Sequence, residues 1–131
     1  MKEIQALIVD DVSNMRNLLA SSLRSLDVTN ILEAMSAKEA IELYKQKHID
    51  VVFLDLNMPD IDGFEALKQI RNLDPMAFVV IVSGENYIEN VKKAIKMGAK
   101  GFIVKPYQLG KIKDMLTKYA AFIADETPEV K

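Results

Sequence analysis

Short apolar runs, each stopped by a polar residue and separated by stretches of helical period, constrain this chain most. ALIV at 6–9 runs into Asp10-Asp11, VVFL at 51–54 into Asp55, FVVIV at 78–82 into Ser83, and FIV at 102–104 into Lys105-Pro106. Alternating runs of this kind fold as βα units around a parallel sheet. In such a sheet the carboxyl ends of the strands share one edge, and that edge is where the fold binds ligands. Three carboxylates, a hydroxyl and an ammonium, each following its own apolar run, therefore point to one built site.

The intervening segments read as helices. Met15, Leu18, Leu19, Leu23 and Leu26 mark one face of a first helix over 14–26, with Ser13 as its N-cap. Asn30-Ile31-Leu32-Glu33 is mixed in polarity, as an edge strand would be. A second helix opens at Ser36-Ala37-Lys38-Glu39, which has capping-box spacing, and continues through Ala40, Ile41 and Tyr44. After the 51–54 strand comes a loop with Pro59 and Gly63, then a third helix marked by Phe64, Leu67 and Ile70. A fourth helix over 86–97 carries Ile88, Val91, Ala94 and Ile95, with Gly98 as its stop. The last helix covers 108–123 on Leu109, Ile112, Leu116, Tyr119 and Ile123. The expected organisation is one α/β domain over 1–124 with a polar tail, 125–131.

Bulk properties narrow the function classes. The 131 residues suffice for one compact core and leave no room for a second domain. The net charge of −2 gives no global reason to bind nucleic acid. There is no cysteine, so disulfides, thiolate chemistry and thiolate metal sites are excluded. No apolar run approaches the ~20 residues that span a bilayer, and the first residues lack the pattern of a signal peptide. A soluble, cytoplasmic protein is expected.

The strand-end acids set a charge problem. Like charges a few ångströms apart repel by ~1–4 kcal/mol, depending on the effective dielectric. A hard divalent cation resolves this, and Mg2+ is often held by one or two carboxylates plus a phosphate. With no cysteine and the single His48, a soft-ligand metal is disfavoured. A phosphoryl group on Asp55 would employ the remaining groups, since carboxylates act as nucleophiles toward phosphorus. Its transfer needs mostly in-line positioning and neutralised equatorial oxygens. Mg2+ could neutralise one oxygen, Lys105 a second, and the Ser83 hydroxyl could donate to a third.

LIVDDVSNMR at 7–16, DLNMPDIDGFEALKQIR at 55–71, VSG at 82–84 and GAKGFIVKPY at 98–107 together resemble the receiver domains of two-component response regulators. The likeness covers residues 4–123 and looks nearest to the single-domain chemotaxis members. It implies a flavodoxin-like (βα)5 doubly wound parallel sheet of strand order 2-1-3-4-5. It also implies that Asp55 is the phosphoacceptor, fed by a sensor histidine kinase or phosphotransfer protein. By the same resemblance Asp10, Asp11, Asp55 and the Asn57 carbonyl would hold Mg2+, Lys105 would contact the phosphoryl group, and Ser83 would move toward it. Phe102 matches the family's switch aromatic, and the Lys105–Pro106 bond would be cis. Signalling would pass to a downstream protein through the face made by helix four, strand five and helix five, roughly 86–119, with no membrane or direct nucleic-acid partner. Such a protein is no enzyme beyond its own phosphorylation and dephosphorylation. It could equally be a phosphorelay carrier or a receiver fragment of a longer regulator. The chain departs from chemotaxis members in having Phe102 where they carry Tyr, so no phenolic hydroxyl is offered to a partner.

Other readings compete. A Mg2+-dependent phosphohydrolase of the haloacid-dehalogenase kind would want a second acid two residues after Asp55, where Asn57 stands. A flavin-binding relative would want a hydroxyl- and amide-rich phosphate cradle where Asp10-Asp11 stand. Taken singly, Asp10, Asp11, Ser83 and Lys105 each read as ordinary cap, turn or surface residues. Phe102 suits a strand core as well as a switch. Asp60 and Asp62 suit a turn, His48 the surface, and Glu85 and Asn57 the tuning of acyl-phosphate hydrolysis. The Lys92, Lys93, Lys96 and Lys100 cluster suits a solvated face. The seven methionines read as scattered core filler.

Overall fold

A computed structural model of the chain describes residues 3–58, 63–84 and 88–126. Pro59, Asp60, Asp62 and Glu85 lie outside the described residues. The elements run β1 (Gln5–Val9), α1 (Ser13–Ser25), β2 (Asn30–Ala34), α2 (Ala37–Gln46), β3 (Val51–Asp55), α3 (Gly63–Leu73), β4 (Val79–Ser83), α4 (Ile88–Lys96), β5 (Gly101–Val104) and α5 (Leu109–Glu126). Every strand pairing is parallel, in the order β2-β1-β3-β4-β5. This is the flavodoxin-like doubly wound α/β fold.

The period-two geometry of strands splits the core into two layers. Leu7, Val9, Val52, Leu54, Val79 and Ile81 point to the side covered by Ala40 and Ile41 of α2, Leu67 and Ile70 of α3, and Ala94 of α4. Ala6, Ile8, Val51, Phe53, Val80, Val82 and Ile103 point to the side covered by Leu19 and Leu23 of α1 and Ile112 and Tyr119 of α5. Strands β3 and β4 are buried at every position, which is why their sequences do not alternate. Edge strand β2 leaves Asn30 and Glu33 exposed.

Local chemistry sets the helix starts. Ser36 Oγ accepts from Glu39 N at 3.1 Å. The Glu39 carboxylate reaches back one residue further than a capping box requires, accepting from Met35 N at 3.0 Å. Ser13 is not the cap of α1. It is the first helical residue, and Val12 before it makes no side-chain cap bond. The Val12 N–H is instead met by Asp10 Oδ1 at 2.9 Å. Gly98, at φ 105°, closes α4 in the left-handed region, as its sequence position suggests.

Three faces differ from the helical spacing. Leu18 is 46% exposed, because α1 meets the sheet through Leu19, Ala20 and Leu23 instead. Ile88 and Ile95 are 57% and 45% exposed, because the fully buried residue of α4, among those described, is the small Ala94. Leu109 and Ile123 are also partly exposed, at 48% and 37%, while α5 continues to Glu126, beyond its expected end. The lysine cluster is not uniformly solvated: Lys93 Nζ lies 4.2 Å from the Phe64 ring centroid, and Lys100 Nζ lies 4.9 Å from that of Phe122.

Candidate functional site

Strand register assembles the site. Val9 pairs with Leu54, so Asp10 leaves β1 beside Asp55, the last residue of β3. Asp55 pairs with Val82, and Ser83 pairs with Val104, so Ser83 and Lys105 lie one and two strands over. The Lys105 amide donates to the Ser83 carbonyl at 2.7 Å, and the Lys105–Pro106 peptide is cis, as the resemblance implied.

Asp10 and Asp55 are almost fully buried, at 1% and 4% exposure, whereas Asp11 faces solvent. One carboxylate oxygen from each of Asp10, Asp11 and Asp55 lies within 4.8 Å of the others. Lys105 Nζ donates to Asp10 Oδ2 at 3.0 Å and to Asp55 Oδ2 at 3.4 Å. Asp55 Oδ1 accepts from the Asn57 amide at 3.0 Å, while the Asn57 side chain is exposed. The donor set is all oxygen, anionic and open on the Asp11 side, which fits a hard divalent cation and no soft metal.

These surroundings push the titrations in defined directions. Burial raises the Asp55 carboxyl above its ordinary value, aided by the Asp10 charge. The Asn57 hydrogen bond and the Lys105 ammonium oppose the rise without cancelling it. Burial works against the Lys105 ammonium, yet its bond to Asp10 and the charges of Asp55 and Asp10 outweigh that and raise it.

Of the remaining expected residues, Ser83 is 3% exposed at the end of β4. Phe102 is 42% exposed, so it is no part of the core. It borders a groove of about 550 Å³ that also meets Val104, Gln108, Lys111 and Met115. His48 is exposed as expected, and it also shares a 2.8 Å hydrogen bond with Asp50. Asp50 lies at the amino end of β3, where its other oxygen accepts from Gln5 N at 2.8 Å, far from the strand-end acids.

Two site neighbours were not singled out in the sequence. Arg16 Nη1 donates to the Asp10 carbonyl at 2.8 Å. The half-buried Tyr107 hydroxyl is pushed up by burial and by the charges of Asp10 and Asp55. Both stand inside quoted motif segments, Arg16 six residues after Asp10 and Tyr107 two after Lys105.

The family model described as the response regulator receiver domain matches residues 6–117. The chain belongs to the response-regulator receiver family. Similar curated receivers include the chemotaxis protein CheY of Listeria monocytogenes, 40% identical over 117 residues, covering 89% of this chain and 98% of that one. The CheY of Thermotoga maritima is 38% identical over 114 residues, covering 87% and 95%. Among solved structures, a CheX–CheY–BeF3–Mg2+ complex from Borrelia burgdorferi matches with TM-score 0.82 and 34% identity, covering 87% of each chain. The receiver is thus CheY-like, and the acidic cluster of Asp10, Asp11 and Asp55 fits a receiver phosphoacceptor site. Among the described residues no helix is long and apolar enough to cross a membrane.

Proposed function

We propose that this receiver is a phosphorylation-controlled signalling switch in which Asp55 accepts a phosphoryl group from the phosphohistidine of a histidine kinase or phosphotransfer protein. One observation carries the reading: Lys105 Nζ contacts both Asp10 and Asp55, and oxygens of Asp10, Asp11 and Asp55 lie within 4.8 Å of one another. Asp10, Asp11 and Asp55, with the Asn57 carbonyl, would hold Mg2+. When bound, that ion supplies positive charge to the transferred phosphoryl oxygens.

The rest falls to the chain. Asp55 attacks phosphorus, the phosphorus–nitrogen bond breaks, and the donor imidazole leaves with the bonding pair. Burial leaves the ionised Asp55 poorly solvated, which favours attack, while the Asn57 amide fixes one of its oxygens. Lys105, on its flexible stem, leans from Asp10 toward the new phosphoryl oxygens. Ser83, on the adjacent strand, donates its hydroxyl to another. The outward Phe102 is the part that answers a Ser83 shift, and the α4–β5–α5 face then changes affinity for a protein target. The Borrelia relative was solved in complex with CheX, BeF3 and Mg2+, which supports a switch that works with a metal ion and a protein target. The reaction is confined to the protein's own acyl phosphate, and the setting proposed is the cytoplasm. A net charge of −2 gives nucleic acid no general attraction.

The test is incorporation of phosphate from acetyl phosphate, or beryllofluoride binding, with and without Mg2+. Wild type should respond only with Mg2+, and Asp55→Asn should not respond. Labelling of Asp55→Asn at the wild-type rate would sink the assignment.

A further inference from the structure

We propose that Arg16 and Glu33 form a positioning pair that holds the turn between β1 and α1, and with it Asp10 and Asp11, in register for a divalent cation. This rests on the Mg2+ reading above. Arg16 projects from the first turn of α1 and is two-pronged. Its Nη1 donates to the Asp10 backbone carbonyl at 2.8 Å, and its Nε donates to Glu33 Oε1 at 3.1 Å. The Arg16 side chain is only 14% exposed, so the arrangement is packed rather than draped over the surface. Glu33 comes from β2, in register with Ile8 of β1.

The consequence is that the Asp10 main chain is gripped from both sides. Its N–H donates to the Ala34 carbonyl at 3.1 Å, and its C=O is held by Arg16. That carbonyl belongs to the peptide plane joining Asp10 to Asp11. Fixing it fixes the direction in which Asp11, the exposed member of the trio, leaves the backbone. Without Arg16, Asp11 would depend on a surface turn for its placement.

Glu33 answers a second requirement. Three carboxylates against the Lys105 ammonium leave two negative charges, which match one divalent cation. An uncompensated guanidinium beside Asp10 would cancel one of them and repel the incoming ion. Paired with Glu33, Arg16 holds the turn while adding little net field. Outer partners that orient metal ligands typically cost ten- to a hundred-fold in metal affinity when removed.

The experiment is Mg2+ titration by calorimetry of wild type, Arg16→Ala, Arg16→Lys and Glu33→Gln, with thermal unfolding of each in EDTA. Arg16→Ala should bind Mg2+ about ten-fold or more weakly. Arg16→Lys should not rescue it, because an ammonium cannot span both acceptors in the guanidinium geometry. Glu33→Gln should weaken binding in a way that fades with added salt. Acetyl-phosphate labelling of these variants should be slow at limiting Mg2+ and recover at saturating Mg2+, which a merely structural role would not produce. Variants that fold and bind Mg2+ within two-fold of wild type would overturn the pair. If Arg16→Ala fails to fold, Arg16→Lys and Glu33→Gln decide on the same criterion. Wild type that takes up no Mg2+ would instead overturn the metal reading itself, and the pair's role with it.

Discussion

Lys105 sits closer to Asp10 than to Asp55, at 3.0 Å against 3.4 Å, so the ammonium acts as an internal counter-ion shared by two buried carboxylates. Breaking a buried ion pair by removing one partner costs several kcal/mol, because the other charge is left uncompensated. Lys105→Met should therefore destabilise the metal-free protein by about 3 kcal/mol in urea denaturation. Mg2+ should recover more stability in Lys105→Met than in wild type, since the cation meets a site with one more unbalanced negative charge. Equal Mg2+ stabilisation in both would show that Lys105 and the metal do not answer the same charge.

Asp55 gives a pH prediction of defined sign. Its carboxyl is raised, chiefly by burial, so the folded chain binds that proton more tightly than the unfolded chain does. Raising pH from the ordinary carboxylate value of 3.8 through the raised folded value therefore favours unfolding. At neutral pH, in EDTA, the ionised Asp55 is a net cost. Asp55→Asn keeps the shape and removes the charge, leaving Lys105 to Asp10. Its melting temperature should exceed that of wild type by a few degrees at pH 7, and the gap should close on acidification below the ordinary carboxylate range. A melting temperature at or below wild type at pH 7 would contradict this.

The site was legible because its residues end apolar runs. A strand covered on both faces has a plain sequence signature, and whatever polar residue stops it must lie at the sheet edge. Asp10, Asp55, Ser83 and Lys105 were placed by that alone. Arg16 and Glu33 were not, because their meeting depends on the β1–β2 register and on where α1 begins, after a turn held by Asp10 rather than capped by Ser13. The exposed Leu18, Ile88 and Ile95 show the same limit. Spacing of 3.6 residues marks an apolar stripe, but which part of it touches the sheet is set by helix rotation about small contacts such as Ala20 and Ala94. The tie between Asp50 and Tyr119, 3.2 Å apart across 69 residues of sequence, left no local trace at all.

Phe102 and Ile103 are neighbours in β5 with opposite surroundings, 42% and 2% exposed. Truncating a core aliphatic to alanine costs roughly 2–5 kcal/mol, whereas a half-exposed ring loses less. Ile103→Ala should fall in that range, and Phe102→Ala should cost under about 1 kcal/mol. Phe102→Ala should nevertheless lose the phosphorylation-dependent change in partner affinity, while Asp55 still takes up phosphate. A Phe102→Ala variant that unfolds like Ile103→Ala would return Phe102 to the core.

Gly63 is fixed by its neighbour rather than by its φ. It opens α3, its amide donates to the Leu56 carbonyl at 3.2 Å, and an added Cβ would come within 2.5 Å of Leu56 Cα and 2.9 Å of Leu56 O. Those are backbone atoms one residue past Asp55, so relief requires moving the segment that carries the proposed phosphoacceptor. Gly110, in the first turn of α5, has nothing within 4 Å of an added Cβ. Replacing a helical glycine in open space should stabilise by roughly 0.5–1 kcal/mol. Gly63→Ala should destabilise by about 1–3 kcal/mol, the usual cost of forcing extra atoms into a packed region. Of the two variants, only Gly63→Ala should also slow acetyl-phosphate labelling, because Asp55 shifts with Leu56. Matching denaturation curves for the two alanine variants would show that α3 can back away from Leu56 without disturbing the site.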